Sequence, residues 1–265
     1  MAEKKVTQPR GVLHLEQGRQ NFRLDRRMPP DDLGTTVEHF WAVEWDLTGC
    51  PPYSSETLPH PSVHLVFDNG KAEVIGVMRG RFTRKLEGRG EAFGIKFRPG
   101  GFHAFCKAPL SQLTDRRSNP EKFFGNAWHQ FAAAMVAAKG IAARADCATN
   151  FLRGVNPTHD ADALLAQKIT QRILSDPEIN KVDTLVEIFA LNKRQLQRLF
   201  KIYIGVNPKW VIERYRMHEA LERLEAKSKP DFARLAHALG YYDQAHFIRA
   251  FRKMTGKSPG AYTAG

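Results

Sequence analysis

Arg198-Leu199-Phe200-Lys201, followed by Gly205 and Pro208, recurs 51 positions later as Arg249-Ala250-Phe251-Arg252, followed by Gly256 and Pro259. A basic unit with an apolar stripe, closed both times by Gly-x-x-Pro, reads as two copies of one helical element. In the first copy Leu196, Leu199, Phe200 and Tyr203 follow the i, i+3, i+4, i+7 spacing of a buried helix face, and Arg194, Gln197, Arg198 and Lys201 lie opposite. In the second, Phe247, Ala250, Phe251 and Met254 turn inward, leaving Gln244, Ala245, Ile248, Arg249 and Arg252 outside.

The flanking sequence predicts more helices. Ala163 to Leu174 and Thr184 to Ala190 carry helical periodicity, and Leu191-Asn192 makes the turn into a helix from Lys193 to Tyr203. Asn192 is the expected N-cap, with Gln195 completing a capping-box spacing. Asn207-Pro208 opens a long helix to about Lys227, with proline at the first helical position, where its missing N–H costs nothing. The pattern then returns as Phe232 to Leu239, a turn at Gly240-Tyr241-Tyr242, and Asp243 capping a helix from Gln244 to Met254. The second turn is expected to be one residue longer than the first.

Two short helices joined by a tight turn, the second polar and exposed, make a helix-turn-helix, whose second helix enters the major groove of DNA. The units span about 184–203 and 232–254. Arginine donates two bonds to guanine and glutamine pairs with adenine, so Arg194, Gln197 and Arg198, and then Gln244, Ala245, Ile248 and Arg249, are the base-reading candidates. Lys193, Lys201, Lys209 and Arg252 are the phosphate candidates. A connecting helix over 208–227 spans roughly 30 Å, close to the roughly 34 Å between successive major grooves on one face of DNA.

Charge agrees with a polyanionic partner. The chain carries a net charge of +12, and residues 163–265 hold 18 Lys/Arg against 10 Asp/Glu, a surplus of 8. Cys50, Cys106 and Cys147, three thiols at wide spacing, suit neither a disulfide framework nor a zinc site and point to a reducing cytoplasm. Met1 to Lys5 leads into polar sequence without the apolar segment of a secretory signal, and Phe131 to Ala138 is too short to cross a bilayer. No membrane partner is expected.

Residues 35–108 read differently. Val63 to Phe67 and Gly94 to Arg98 alternate apolar and polar side chains between the turn sequences Asp68-Asn69-Gly70 and Arg98-Pro99-Gly100-Gly101, predicting an antiparallel sheet or a small barrel. From Pro109 to about Arg153 the pattern is helical, with an Ala-rich stretch from Trp128 to Ala145, and Gly154 to Asp160 has linker composition. The expected class is α+β, with a β-rich domain and trailing helices over 1–154 and an all-α domain over 163–265. Glu56, His60, His64 and His103 were weighed as a metal set, but Pro59 and Pro61 interrupt the strand that would align them, and surface or turn histidines are the preferred reading. Cys106 is read as core, Trp41 and Trp45 as core in preference to ligand stacking, and Arg98 as a structural ion-pairing residue in preference to an anchor for an anionic effector. No Gly-rich loop precedes a helix with the lysine of a phosphate-binding motif, so nucleotide hydrolysis has no support. No catalytic residue, cofactor or metal is expected.

Residues 163–265 resemble the DNA-binding domain of the AraC/XylS family of transcription regulators. The matching positions are Leu196 to Lys201 with Gly205 and Pro208, Arg216 and Ala220, and Leu239-Gly240-Tyr241 with Gln244, Phe247, Arg249, Phe251, Gly256 and Pro259. The resemblance places Arg194, Gln197 and Arg198 on its first base-reading helix and Gln244, Ala245, Ile248 and Arg249 on its second. Three departures stand out: Asn192-Lys193 replaces Ser-Pro or Ser-Lys, Ala190-Leu191 lacks the common glycine of the first turn, and Asp243 replaces serine. Residues 35–125 resemble the uncharacterised β-rich domain found ahead of many such domains, which implies a cupin-type barrel serving effector sensing or dimerisation. The expected partners are therefore double-stranded DNA, with RNA polymerase, a small-molecule effector and a second copy of the chain as further candidates. A competing reading is an enzyme or metal-binding cupin-like domain fused to a DNA-binding module. Fused alkylation repair is excluded, because it needs four thiolates on zinc beside a reactive cysteine. An architectural DNA protein would lack the base-reading Arg and Gln.

Overall fold

The computed structural model describes residues 11–106, 108–226 and 230–263. The reading of Met1 to Lys5 and the expected helix end at Lys227 lie outside them. A short helix α1 (Leu15–Gly18) precedes eight strands: β1 (Arg23–Arg27), β2 (Val37–Leu47), β3 (Tyr53–Thr57), β4 (His64–Asp68), β5 (Lys71–Ile75), β6 (Phe82–Leu86), β7 (Gly88–Phe97) and β8 (Arg117–Ser118). Six form one antiparallel sheet in the order β1-β2-β7-β4-β5-β8, and β3 pairs with β6 in a second.

The expected cupin-type barrel is not closed. β3 leaves its ladder at Pro59 and Pro61, which have no N–H to donate, and β8 is two residues long. A single bridge, Val12 to Thr57, extends the β3 edge among the described residues.

Alternation gives the six-stranded sheet two unlike faces. Phe40, Leu65, Phe93, Ile95 and Phe97 are buried on one face. The layer above them is α2 (Glu121–Phe124), α3 (Ala127–Ala137) and α4 (Gly140–Val155), where Phe67 stacks on Trp128 at 5.6 Å and Phe131 on Phe151 at 3.9 Å. The helical Ala-rich stretch is broken, because Ala138 and Lys139 are extended. On the other face Trp41 and Trp45 lie flat across β7, and a Cβ at Gly94 or Gly90 would come within 2.1 or 2.3 Å of their rings. Arg98 has the structural role expected of it, donating from Nε to the Gly34 carbonyl rather than forming an ion pair.

Residues 156–160 lead into α5 (Ala161–Ser175), capped by Asp160, which accepts from Ala163 N at 2.7 Å. There follow α6 (Val182–Phe189), α7 (Lys193–Tyr203), α8 (Pro208–Glu225), α9 (Phe232–Ala238), α10 (Gln244–Thr255) and α11 (Pro259–Thr263). α8 serves two cores. Val211, Ile212 and Tyr215 join Leu185, Leu196 and Phe200, whereas Met217, Ala220, Leu221 and Leu224 join Leu235, Phe247 and Phe251. Side chains of the β-rich region complete both: Val77 enters the first, and Leu13 and Leu58 enter the second.

Candidate nucleic-acid interface

The local signals around Lys193 place the first polar helix. Asn192 Oδ1 accepts from Gln195 N at 2.9 Å and Gln195 Oε1 accepts from Asn192 N at 2.8 Å, so the capping box is complete. Leu196, Leu199, Phe200 and Tyr203 are buried. Lys193, Arg194, Gln197, Arg198 and Lys201 are exposed. Asp160 accepts from the Tyr203 hydroxyl at 3.0 Å; burial and this bond push the phenol up to about 12.

α10 repeats the arrangement. Asp243 caps it by accepting from His246 N at 2.6 Å. Phe247 and Phe251 are buried, Gln244, Ala245, Arg249 and Arg252 are exposed, and Ile248 is half-buried beside Phe247 and Phe251 in the second core. Both polar helices thus present their candidate residues to solvent, Ile248 only in part. Lys193 pairs with Asp183 at 2.6 Å and Lys209 with Glu213 at 3.7 Å, contacts that a phosphate would have to exchange.

The turns differ by more than expected. Residues 190–192 separate α6 from α7, and 239–243 separate α9 from α10, so the second is two residues longer rather than one. α6 and α9 both end one position before the expected Ala190 and Leu239, and the extra residue is the cap Asp243, counted with its turn as Asn192 is with the first. Tyr242 lies in the second turn with 93% of its surface exposed, directly before the Asp243 cap. Sequence reading took it as turn filler. An aromatic one residue before an N-cap was the available signal.

The connecting helix α8 has 18 residues and is therefore about 27 Å long. Arg216 on it donates from Nε to the Leu239 carbonyl and stacks on Tyr241 at 4.4 Å, tying the second turn to the connector. Arg214 is buried, lies 4.5 Å over Trp210 and donates to the Arg79 carbonyl at 2.6 Å; burial lowers its pKa to about 10.

The β-rich region meets both units at the repeated glycines. A Cβ on Gly205 would lie 3.0 Å from the Leu110 carbonyl and the Thr114 hydroxyl, and one on Gly256 would lie 2.9 Å from the Arg81 guanidinium. Thr114 Oγ1 donates to Gly205 O at 2.6 Å, and Arg81 Nη1 donates to Thr255 O at 2.9 Å.

The weighed histidines do not converge. His60 lies 4.1 Å from the His218 ring, His64 Nδ1 accepts from Trp41 Nε1 at 3.3 Å, His103 lies 4.4 Å from the Tyr203 ring, and Glu56 pairs with Arg81. Among the described residues no group of three His, Cys, Asp or Glu is placed to hold a metal. Cys106 is buried, and its Sγ donates to Ala108 O at 3.2 Å.

Two helix-turn-helix units on one connector, with polar second helices, define a bipartite DNA-binding domain. Residues 185–265 match the family described as "Helix-turn-helix domain", and residues 25–119 match "Domain of unknown function (DUF6597)". The transcriptional activator RhaS of Pectobacterium carotovorum is 36% identical over 76 residues, covering 29% of this chain and 27% of the relative. The transcriptional regulator MtrA of Neisseria gonorrhoeae is 28% identical over 96 residues, 36% of this chain and 31% of the relative. The chain thus spans less than a third of the length of these curated relatives. A crystal structure of ToxT from Vibrio cholerae O395 aligns with 92% of this chain and 98% of its own at 12% identity and a TM-score of 0.41.

Proposed function

We propose that this chain is a sequence-specific transcription regulator that reads two successive major grooves, with α7 in one and α10 in the next. The observation that carries it is the duplicated division of faces: Arg194, Gln197 and Arg198 on α7, and Gln244, Ala245 and Arg249 on α10, are exposed opposite buried apolar stripes. A connector of about 27 Å sets the two helices apart on the scale of one helical turn of DNA. Arg194, Gln197, Arg198, Gln244, Ala245, Ile248 and Arg249 read bases, while Lys193, Lys201, Lys209 and Arg252 set register on phosphates. Tyr242 joins the second group through its hydroxyl.

The relatives named as transcriptional activator and regulator support this reading. Partners beyond DNA follow from it: a small effector for the β-rich region, RNA polymerase where the outcome is activation, and a second copy where operators carry paired sites. Repression needs occlusion alone. We place the domain boundary between residues 154 and 163, and the protein in the cytoplasm with the bacterial nucleoid. Among the described residues no helix is long and apolar enough to cross a membrane.

The test separates the two kinds of contact. Arg198→Ala should lose discrimination at its own base pair by about 1–3 kcal/mol. Lys201→Ala should weaken matched and scrambled duplexes alike and reduce the salt slope by about one. Identical behaviour of the two variants on both duplexes would refute the assignment.

A further inference from the structure

The sheet face that the helices leave open borders a cavity of about 710 Å³, closed on its far side by β3 and β6. That volume is in the range of sites for small organic ligands. Strand register gives it a polar end and an apolar body. His39 on β2 and His64 on β4 both stand opposite Lys96 on β7, and Arg26 on β1, paired with Trp41, is the diagonal neighbour of His39. Three nitrogen-bearing side chains from adjacent strands therefore form one row, and Arg26 joins them diagonally from the next. Successive rows along the strands are Arg26, Trp41, Gly94 and Val66, then Leu24, Val43, Ala92 and Asp68, whose carboxylate is taken up by Arg84 of β6.

This cluster is short of negative charge. Lys96 is buried and held by Glu38 at 2.8 Å, and the Nε of Arg26 is buried with no hydrogen-bond partner among the described residues. Glu38 is the carboxylate whose field acts on both cations, and Arg98 adds a third positive charge nearby. Burial, then the charges of Lys96 and Arg26, push His39 down to about 2 and His64 to about 3, so both rings are neutral near pH 7 and the local field is positive. A cation withdrawn from water without a counter-charge is costly, and an anion beside it offsets that cost. The cationic surplus of Arg26, Lys96 and Arg98 over Glu38 calls for an anion, and the largely apolar rows beside it suit an anion with an apolar body better than a free phosphate.

We propose that this cavity binds an organic carboxylate with an apolar body, its carboxylate between Arg26 and Lys96 and its body over Trp41 and Val43. Its role as an effector site rests on the regulator reading; the binding itself does not. The cavity wall includes Thr57, Pro59 and His60, and the intervening Leu58 is buried in the core of the second helix-turn-helix. His60 lies against His218 of α8, the two rings tilted by 40°. An occupant is thus one residue away from the packing that positions α10.

The full chain is titrated calorimetrically with 3-phenylpropionate and octanoate, with 3-phenylpropanamide as a neutral isostere, and with inorganic phosphate. Both carboxylates bind, and the amide is at least about tenfold weaker than 3-phenylpropionate, from loss of a charge-assisted hydrogen bond. Arg26→Gln weakens the carboxylates by about ten- to a hundredfold and leaves the amide unchanged. Val43→Trp keeps every charge, fills the body of the site and abolishes binding of both, with the far-ultraviolet circular dichroism of the parent. Equal affinity for amide and carboxylate, tighter binding of phosphate, or no binding of either carboxylate at millimolar concentration overturns the proposal. Anisotropy with a duplex selected by the protein runs in parallel. Duplex binding without carboxylate binding refutes the cavity assignment alone, and carboxylate binding without duplex binding refutes the regulator reading alone.

Discussion

The first and second helix-turn-helix units share one layout and are secured in different ways. The first packs α7 and the front of α8 against α5, and the β-rich region reaches it through the segment 100–114, where Thr114 holds Gly205 and His103 lies against Tyr203. The second is closed instead by the five-residue α11, whose Tyr262 is buried in its core. Its core takes in Leu13 and Leu58, and Arg81 and His14 hold its far end, with His14 stacked on Tyr262 at 4.2 Å. The segments that secure it, 11–14, 57–60 and the chain around Arg81, also wall or border the open cavity. Val77, between the wall residues Gly76 and Met78, gives the first core a single link of the same kind. Leu13, Leu58 and Arg81 give the second core several, so events in the cavity should be felt more strongly at α10 than at α7.

The largest expected effects test whether the two cores are separate. Phe200→Ala and Phe251→Ala each remove a fully buried ring, and each should cost about 3–5 kcal/mol in urea unfolding. Hydrogen exchange should rise mainly in 182–212 for the first and in 217–262 for the second. Uniform exchange in both variants would mean that α8 fuses them into one cooperative unit.

Next come the reading residues. Arg198→Ala and Arg249→Ala should each relax specificity by about 1–3 kcal/mol, at different half-sites, when binding to a matched duplex is compared with single-base variants. Loss at the same base pairs would break the one-helix, one-groove correspondence.

Smaller effects address how each unit is secured. Arg81 donates to Thr255 O and pairs with Glu56 at 2.9 Å, at a site about a third exposed. Arg81→Gln should therefore cost on the order of 1 kcal/mol, discounted for solvent screening, with faster exchange confined to α10 and α11. Thr114→Val is the matched change for the first unit and should loosen the Gly205 turn while leaving α10 protected.

The turns supply the smallest test. Ala190 occupies the left-handed region at φ 49°, where the second unit has Gly240 at φ 69°. Ala190→Gly should stabilise the protein by up to about 1 kcal/mol, because glycine adopts that conformation without a Cβ clash. Gly240→Ala should destabilise it by at least as much, since its Cβ would also sit 3.0 Å from Asn180. Thermal melts of both variants should move in opposite directions.

What sequence reading captured was local. Asn192 and Gln195 announce a helix start within three residues, and α7 begins and ends where the periodicity places it, at Lys193 and Tyr203. Pro208 and Asp243 likewise mark the starts of α8 and α10. What escaped depends on partners far apart in the chain. The cluster of Arg26, His39, Lys96 and His64 exists only through strand register, and His39 and His64 are ordinary alternating residues until β7 comes between them. The open barrel was missed for a related reason: alternation identifies strands but does not say which edges meet. Val77, Leu13 and Leu58 are apolar residues of the β-rich half with no local sign that they complete helical cores.

The central claim is that α7 and α10 each read a major groove at a separation set by α8. Selection of the full chain against a randomised duplex pool, followed by sequencing, tests it most directly. A two-groove reader enriches two short motifs with centres about 10–11 base pairs apart, one lost with Arg198→Ala and the other with Arg249→Ala. A pool that stays random, or a single motif unaffected by Arg249→Ala, would contradict it.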